Sequence, residues 1–213
     1  NISKNIKYRR GLLPNPYTGD IFLVSYPKSG NTWLRFLLAN TLKIHYKIER
    51  EVNFFTIQDF IPDVHWTSGS IDINSTILFS NSKIPRIIKS HSTYNPYYHK
   101  VILLVRDPRD VMVSYFHFQR RHGYISNEYT LSDFIRHKKF GAEAWNNHTV
   151  KWFMSTKEYQ RIQLFRFEDL FVNTLTVLFR FMLLIVSIVY YSTLAIAVTL
   201  SSLENMKNSE KKH

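Results

Sequence analysis

The chain of 213 residues contains no cysteine, only six glycines and seven prolines, and just 16 acidic residues against 28 lysines and arginines. Without cysteine it forms neither disulfide bonds nor thiolate metal sites, which suits a reducing compartment and leads us to expect the cytoplasm. The low glycine and proline content, with 45% hydrophobic residues, argues against a disordered or low-complexity chain. This length instead suits one domain with a hydrophobic core of its own.

The formal net charge of +12 indicates an anionic partner, whether a nucleotide, a nucleic acid or an acidic membrane surface. The basic residues are scattered, apart from pairs such as Arg120 and Arg121. No zinc-finger spacing, RNA-recognition signature or basic heptad accompanies them. A solvated basic surface is the better interpretation for most of these residues, and we expect no nucleic-acid partner.

Short apolar runs alternate with helical patterns along the chain. Buried strands are predicted at Asp20–Ser25, Arg86–Ser90, Val101–Arg106 and Arg161–Phe167. Helices are predicted at Asn31–Lys43, Asp107–Gln119, Leu131–Lys139 and Trp145–Thr156. This alternation predicts an α/β fold in which helices flank a central parallel sheet.

The segment Ser25–Trp33 (SYPKSGNTW) joins the first predicted strand to the first predicted helix. Such a turn points backbone N–H groups at one place, where the helix dipole favours negative charge. Gly30 lets the backbone approach an anion, Lys28 adds a positive charge, and Ser29 and Thr32 add hydroxyl donors. Because Lys28 precedes Gly30, whereas the ATPase loop places its lysine after the last glycine, an ATPase is not predicted. An ordinary strand-to-helix turn is the alternative, and the pattern favours a phosphate-binding loop.

Several segments in a fixed order resemble the cytosolic-type sulfotransferases. They are SYPKSGNTW (Ser25–Trp33), IPRIIKSH (Ile84–His91), VILLVRDPRDVMVSYFHF (Val101–Phe118), LFRFEDL (Leu164–Leu170) and SSLENMKN (Ser201–Asn208). The resemblance implies a P-loop-like nucleotide-binding fold. It also implies transfer of a sulfuryl group from 3′-phosphoadenosine 5′-phosphosulfate (PAPS) to a hydroxyl or amine of a small-molecule acceptor, without a metal.

The resemblance further implies which residues act in catalysis. His91 would be the general base that takes the proton of the acceptor, and its alternative is a surface or core histidine. Lys28 and Lys89 would stabilise the charge that builds on the leaving phosphate, and the alternative for Lys89 is a solvated lysine. The aromatic stretch Phe54–Trp66 is expected to contribute to the acceptor pocket.

The residues that the resemblance assigns to the nucleotide are Lys28, Ser29, Gly30, Asn31, Thr32, Trp33, Arg106, Ser114 and Phe167. Arg106 and Ser114 would bind the 3′-phosphate, for which the guanidinium fork is suited. Trp33 and Phe167 would sandwich the adenine. Leu203 stands where the family often has a phenylalanine, so stacking is expected to be lost there.

Two features depart from the family. The chain ends at His213, before the family's Arg-Lys-Gly stretch at the 3′-phosphate, so we expect one domain over residues 1–213 that lacks the C-terminal part of the fold. A truncated, inactive nucleotide-binding remnant is the alternative.

The uncharged run Phe181–Leu200 has the length of a membrane span. We expect core helices there, with a membrane anchor as the alternative. A kinase using ATP and magnesium is disfavoured, because no carboxylate pattern for a metal lies beside the loop.

Overall fold

A computed structural model describes residues 19–63, 83–158 and 162–211. Within these residues, parallel strands form a single sheet with the order β2-β1-β3-β4. The strands are β1 (Ile21–Ser25), β2 (Ile87–Ser90), β3 (Lys100–Val105) and β4 (Ile162–Arg166). Each predicted strand is therefore found within about a residue of its predicted bounds, except that Arg161 lies outside the described residues.

Helices follow or connect the strands. They are α1 (Asn31–His45), α2 (Ile57–Phe60), α3 (Pro108–Arg121), α4 (Leu131–Arg136), α5 (Ala142–Glu158), α6 (Phe167–Val172), α7 (Thr174–Leu183), α8 (Tyr191–Leu200) and α9 (Leu203–Lys211). The predicted α/β fold with a central parallel sheet is confirmed. Helix α4 is shorter than predicted because His137 adopts an extended backbone and its ring stacks on Phe140 at 3.5 Å.

Both faces of the sheet are buried. Ile21 and Leu23 of β1 belong to a core cluster shared with α1, α7 and α8, whereas Phe22 and Val24 belong to a second cluster that includes Trp152 of α5. Successive side chains of a strand point to opposite faces, so a sheet covered on both sides needs continuous apolar strands. This requirement explains the short apolar runs of the sequence.

The order of the strands creates a crevice. β1 lies between β2 and β3, so the chain moves to one side of β1 for β2 and then returns to the other side for β3. In open parallel sheets, ligands bind at the carboxyl ends of the strands where the order reverses in this way. The loops that follow β1 and β3 lie at this position.

The uncharged run Phe181–Leu200 does not form a single helix. Helix α7 ends at Leu183 and α8 begins at Tyr191, and both helices bury apolar side chains, such as Phe181 and Leu194, in the cluster that contains α1. Across the described ranges, no helix is long and apolar enough to cross a membrane.

Candidate active site

The loop between β1 and α1 has the geometry of an anion-binding turn. The N–H of Ser29 donates to the carbonyl of Tyr26 at 3.3 Å, and Lys28 and Gly30 both have positive φ angles, 68° and 91°. Helix α1 begins at Asn31 with no side-chain cap and no acidic residue in its first turn. The first N–H groups of a helix have no partner within the helix, so this terminus offers several donors in a positive potential.

Gly30 is required by its surroundings as well as by its φ angle. A Cβ atom at this position would overlap the ring of Phe167, which packs directly against the Gly30 backbone. Phe167 is the first residue of α6, immediately after β4. The absence of a side chain at Gly30 therefore lets the ring of Phe167, at the end of β4, contact the loop that follows β1.

A cavity of about 570 Å³ lies at the carboxyl ends of the strands. The predicted site residues that line it are Lys28, Gly30, Asn31, Thr32, Trp33, Lys89, His91, Arg106, Ser114 and Phe167. Ser29 does not line it. Its side chain is fully buried, and its hydroxyl has no hydrogen-bond partner among the described residues. Asn31 lines the cavity and also holds the loop, because its side-chain N–H donates to Ser25 Oγ at 3.0 Å.

His91 follows β2 directly, and its ring is oriented by the neighbouring strand. Its Nδ1 lies 2.7 Å from the carbonyl oxygen of Ser25, the last residue of β1. A carbonyl only accepts hydrogen bonds, so Nδ1 carries the proton of the neutral ring. Nε2 is then the nitrogen with the basic lone pair, which is the arrangement that a general base requires.

Lys28 lies among other cations. Its Nζ is 4.4 Å from the ring centroid of Phe118, a cation–π contact. Burial lowers the pKa of Lys28, and the charges of Arg121, Arg106 and Lys89 lower that pKa further. A bound anion would relieve this repulsion, so the electrostatics of the cavity favour a negatively charged ligand.

Lys89 has a counter-ion. Its Nζ lies 2.5 Å from Asp63 Oδ2, and the two side chains are only 13% and 9% exposed. Burial lowers the pKa of Lys89, whereas the charge of Asp63 and its hydrogen bond act in the opposite direction. Asp63 thus supports the charged form of a lysine that lines the cavity.

Arg106 follows β3 directly and lies beside the loop. Its Nη1 donates to the carbonyl of Lys28 at 3.4 Å, its Nη2 lies 3.6 Å from Asp110, and its Cζ lies 4.5 Å from the ring centroid of Phe167. The buried Nε has no hydrogen-bond partner among the described residues. Ser114 lines the same cavity from α3.

Aromatic side chains form the end of the cavity next to α9. The indole N–H of Trp33 donates to the carbonyl of Ser201 at 3.0 Å, which fixes the ring. Its ring centroid lies 6.0 Å from that of Phe167 and 6.2 Å from that of Phe171. Leu203 lines this end as well.

Sequence reasoning missed several residues of the site. Phe118 and Phe171 each lie four positions after a predicted residue on the same helix, Ser114 and Phe167, and helical spacing places such residues side by side. That spacing was the available signal. Asp63 carried no comparable signal, because it is distant from Lys89 in the sequence.

Two aromatic rings of the stretch that is expected to contribute to the acceptor pocket pack in the core. Phe60 is buried in the core, and Phe54 packs against Phe36 with ring centroids 4.9 Å apart. These two rings therefore support the core and do not line the cavity. Residues 64–66 of the stretch, including Trp66, lie outside the described residues.

Known proteins resemble this chain in sequence and in fold. Sulfotransferase 1B1 of Mus musculus is 29% identical over 167 residues, which are 73% of this chain and 54% of that protein. Amine sulfotransferase of Oryctolagus cuniculus is 26% identical over 165 residues, 71% of this chain and 50% of that protein. The chain thus spans about half the length of the curated relatives that it matches.

Among solved structures, retinol dehydratase in complex with androsterone and the inactive cofactor PAP has a TM-score of 0.66 at 17% identity, over 95% of this chain and 68% of that one. At this identity the likeness concerns the fold alone. The family model described as the sulfotransferase domain matches residues 18–213, nearly the whole chain. The loop, the parallel sheet and this match together show that the chain belongs to the sulfotransferase family, as its motifs predicted.

Proposed function

We propose that this chain binds PAPS and transfers its sulfuryl group to a hydroxyl or amine of a small-molecule acceptor. The observation that carries the proposal is the convergence of Lys28, Lys89, His91 and Arg106 on one cavity. They lie at the ends of three different strands, β1, β2 and β3, and the cavity is the place where these strand ends meet. Membership of the sulfotransferase family supports the same chemistry.

The nucleotide is proposed to lie between the loop and α3. Its phosphosulfate end would meet the N-terminus of α1 and Lys28, where N–H donors and positive charge coincide. Its 3′-phosphate would lie at Arg106 and Ser114, which line the same cavity. The described geometry thus fits a ligand with two separated anionic groups.

The proposed reaction moves one sulfuryl group and one proton. The acceptor oxygen or nitrogen forms a bond to sulfur, the bond between sulfur and the bridging oxygen of PAPS breaks, and His91 Nε2 takes the acceptor proton. Lys28 and Lys89 stabilise the charge that develops on the leaving phosphate. The reaction then depends mainly on alignment and charge stabilisation, as phosphoryl transfer does.

Both acceptor classes are kept in the proposal. One relative is named an amine sulfotransferase, and the solved structure of retinol dehydratase holds androsterone. A general base at His91 Nε2 serves a hydroxyl and an amine alike, since each loses one proton during transfer.

Calorimetry with adenosine 3′,5′-bisphosphate (PAP), followed by a transfer assay with radiolabelled PAPS and panels of phenols, alcohols and amines, tests the proposal. We expect saturable binding of PAP and a labelled product with at least one acceptor class. Binding without product across the panel would support the inactive nucleotide-binding remnant. Absence of PAP binding would overturn the proposed function.

A further inference from the structure

Phe171 is a large aromatic residue that is 61% exposed, on the last turn of α6 beside the cavity. It lies four residues after Phe167, and the two ring centroids are 6.3 Å apart. The ring of Trp33 lies 6.2 Å away at an angle of 65°. Phe171 therefore extends a cluster of rings into the cavity without being buried in the core.

Phe167 is already engaged by the protein. The guanidinium of Arg106 lies 4.5 Å from its ring centroid, and the backbone of Gly30 packs against its edge. Trp33 meets it edge-on, at an interplanar angle of 70°. These contacts reduce the ring surface that Phe167 can present to a ligand, whereas Phe171 remains mostly exposed.

Leu203 leaves this end of the cavity without a ring at the start of α9. Its side chain is exposed and lines the cavity together with Phe171 and Trp33. A leucine offers apolar surface but no π-face. Phe171 lies where a ring can compensate, because it lines the same cavity as Leu203 and contacts Trp33.

We propose that Phe171 is a nucleotide-binding residue, which supplies with Trp33 the aromatic surface for the base that Leu203 does not provide. This inference rests on the proposed function, since the base is that of the proposed nucleotide. Stacking on an aromatic side chain contributes to binding because a base presents a π-face to the ring.

The test compares Phe171→Ala and Phe171→Leu with the original chain in calorimetric titrations of PAP and of ribose 3,5-bisphosphate, which lacks a base. Because a stacked base contributes binding through the ring face, we expect PAP affinity to fall about 5- to 50-fold in both variants. Affinity for the ligand without a base should stay within about twofold. Val172→Ala, at an 85% exposed neighbour on the same helix, is the matched control and should bind PAP normally.

A rescue experiment separates base stacking from a structural role. Leu203→Phe in the Phe171→Ala background should restore most of the lost PAP affinity. Unchanged PAP affinity in Phe171→Ala, or an equal loss for both ligands, would overturn the inference while leaving the proposed function intact. Absence of PAP binding by the original chain would overturn the proposed function, and this inference with it.

Discussion

Lys89 and Asp63 are joined through both their side chains and their backbones. Beside the 2.5 Å ion pair, the two residues form an isolated parallel β-bridge, and the Lys89 N–H donates to the carbonyl of Pro62 at 2.8 Å. Asp63 itself is held by Gln58, whose Oε1 accepts from the Asp63 N–H at 3.0 Å and from Arg35 at 3.1 Å. A partly buried polar network therefore connects α1 to a lysine of the candidate site.

Asp63→Asn is expected to lower the pKa of Lys89 below its value in the original chain. Burial and the charge of Arg35 already lower this pKa, and Asp63 is the group that opposes them. Nuclear magnetic resonance of dimethylated lysines measures the change, with Lys89→Arg to assign the signal. Transfer activity should then fall at a lower pH than in the original chain, because the charged lysine is lost earlier as pH rises.

The matched control for this experiment is Asp59→Asn. Asp59 lies four residues earlier and forms a more exposed ion pair with Arg50 at 2.6 Å. Its loss should leave the Lys89 signal unchanged. A Lys89 pKa that is the same in Asp63→Asn and in the original chain would show that Asp63 has no electrostatic role there.

His91→Ala and His91→Asn are expected to lower turnover by about 10²–10⁴-fold, the range for loss of a positioned general base. PAP affinity should change little in either variant, since the proposed partner of His91 is the acceptor. Asn retains an N–H that can donate to the carbonyl of Ser25, so a loss in both variants identifies the base and not the hydrogen bond. Transfer rates and calorimetry together measure the two effects.

Two further variants complete the comparison. Arg106→Ala should weaken PAP binding first, because it removes donors for the 3′-phosphate. His122→Ala is the control histidine, as His122 also lies near a backbone carbonyl, that of Phe118, but does not line the cavity. Full activity in His91→Ala would refute the proposed mechanism.

Much of this arrangement follows from the sequence because parallel topology places strand ends together. Each predicted apolar run is followed by, or ends in, a site residue, namely Lys28, His91, Arg106 and Phe167, so a parallel sheet brings them to one edge. The run Phe181–Leu200 has the length and hydrophobicity of a membrane span, so these two properties alone did not predict the core helices found there. The position of the break between α7 and α8 has no signal in the sequence, because the run contains neither proline nor glycine.

Residues that act across the fold were harder to predict. Asp63 reaches Lys89 through a connection without periodic hydrophobicity, and no local pattern indicates a pair 26 residues apart. Ser29 shows a second limit of local patterns, since its position in a phosphate-binding loop suggests a hydroxyl contact with the ligand, whereas its side chain is fully buried. Local motifs predict which residues approach a site, whereas the packing decides which side chains face it.

Gly30→Ala is expected to weaken PAP binding and to destabilise the fold. Its φ of 91° is strained for any residue with a Cβ atom, at a cost of about 1–2 kcal/mol. The new methyl group would also displace the ring of Phe167.

Gly123→Ala is the matched control, because Gly123 has a φ of 67° but no atom within 4 Å of its Cβ position. The temperature of thermal unfolding should fall in both variants. Calorimetry should show lost PAP affinity only for Gly30→Ala. Normal PAP binding by Gly30→Ala would contradict the proposal that the nucleotide binds at this loop.

PAP binding is expected to weaken as pH rises through the alkaline range, because of Lys28. Burial and neighbouring cations lower the pKa of Lys28 in the free protein, and a bound phosphate raises it again. Below the free pKa, Lys28 is charged in both states and affinity is constant with respect to this group. Between the free and the bound pKa of Lys28, binding takes up a proton, so affinity falls by up to about tenfold per pH unit.

Calorimetry in buffers of different ionisation enthalpy measures this proton uptake directly. Lys28→Met should abolish the uptake, whereas Lys43→Met, at the end of α1 and outside the cavity, should preserve it. Proton uptake that persists in Lys28→Met would assign the linkage to another group and contradict the prediction.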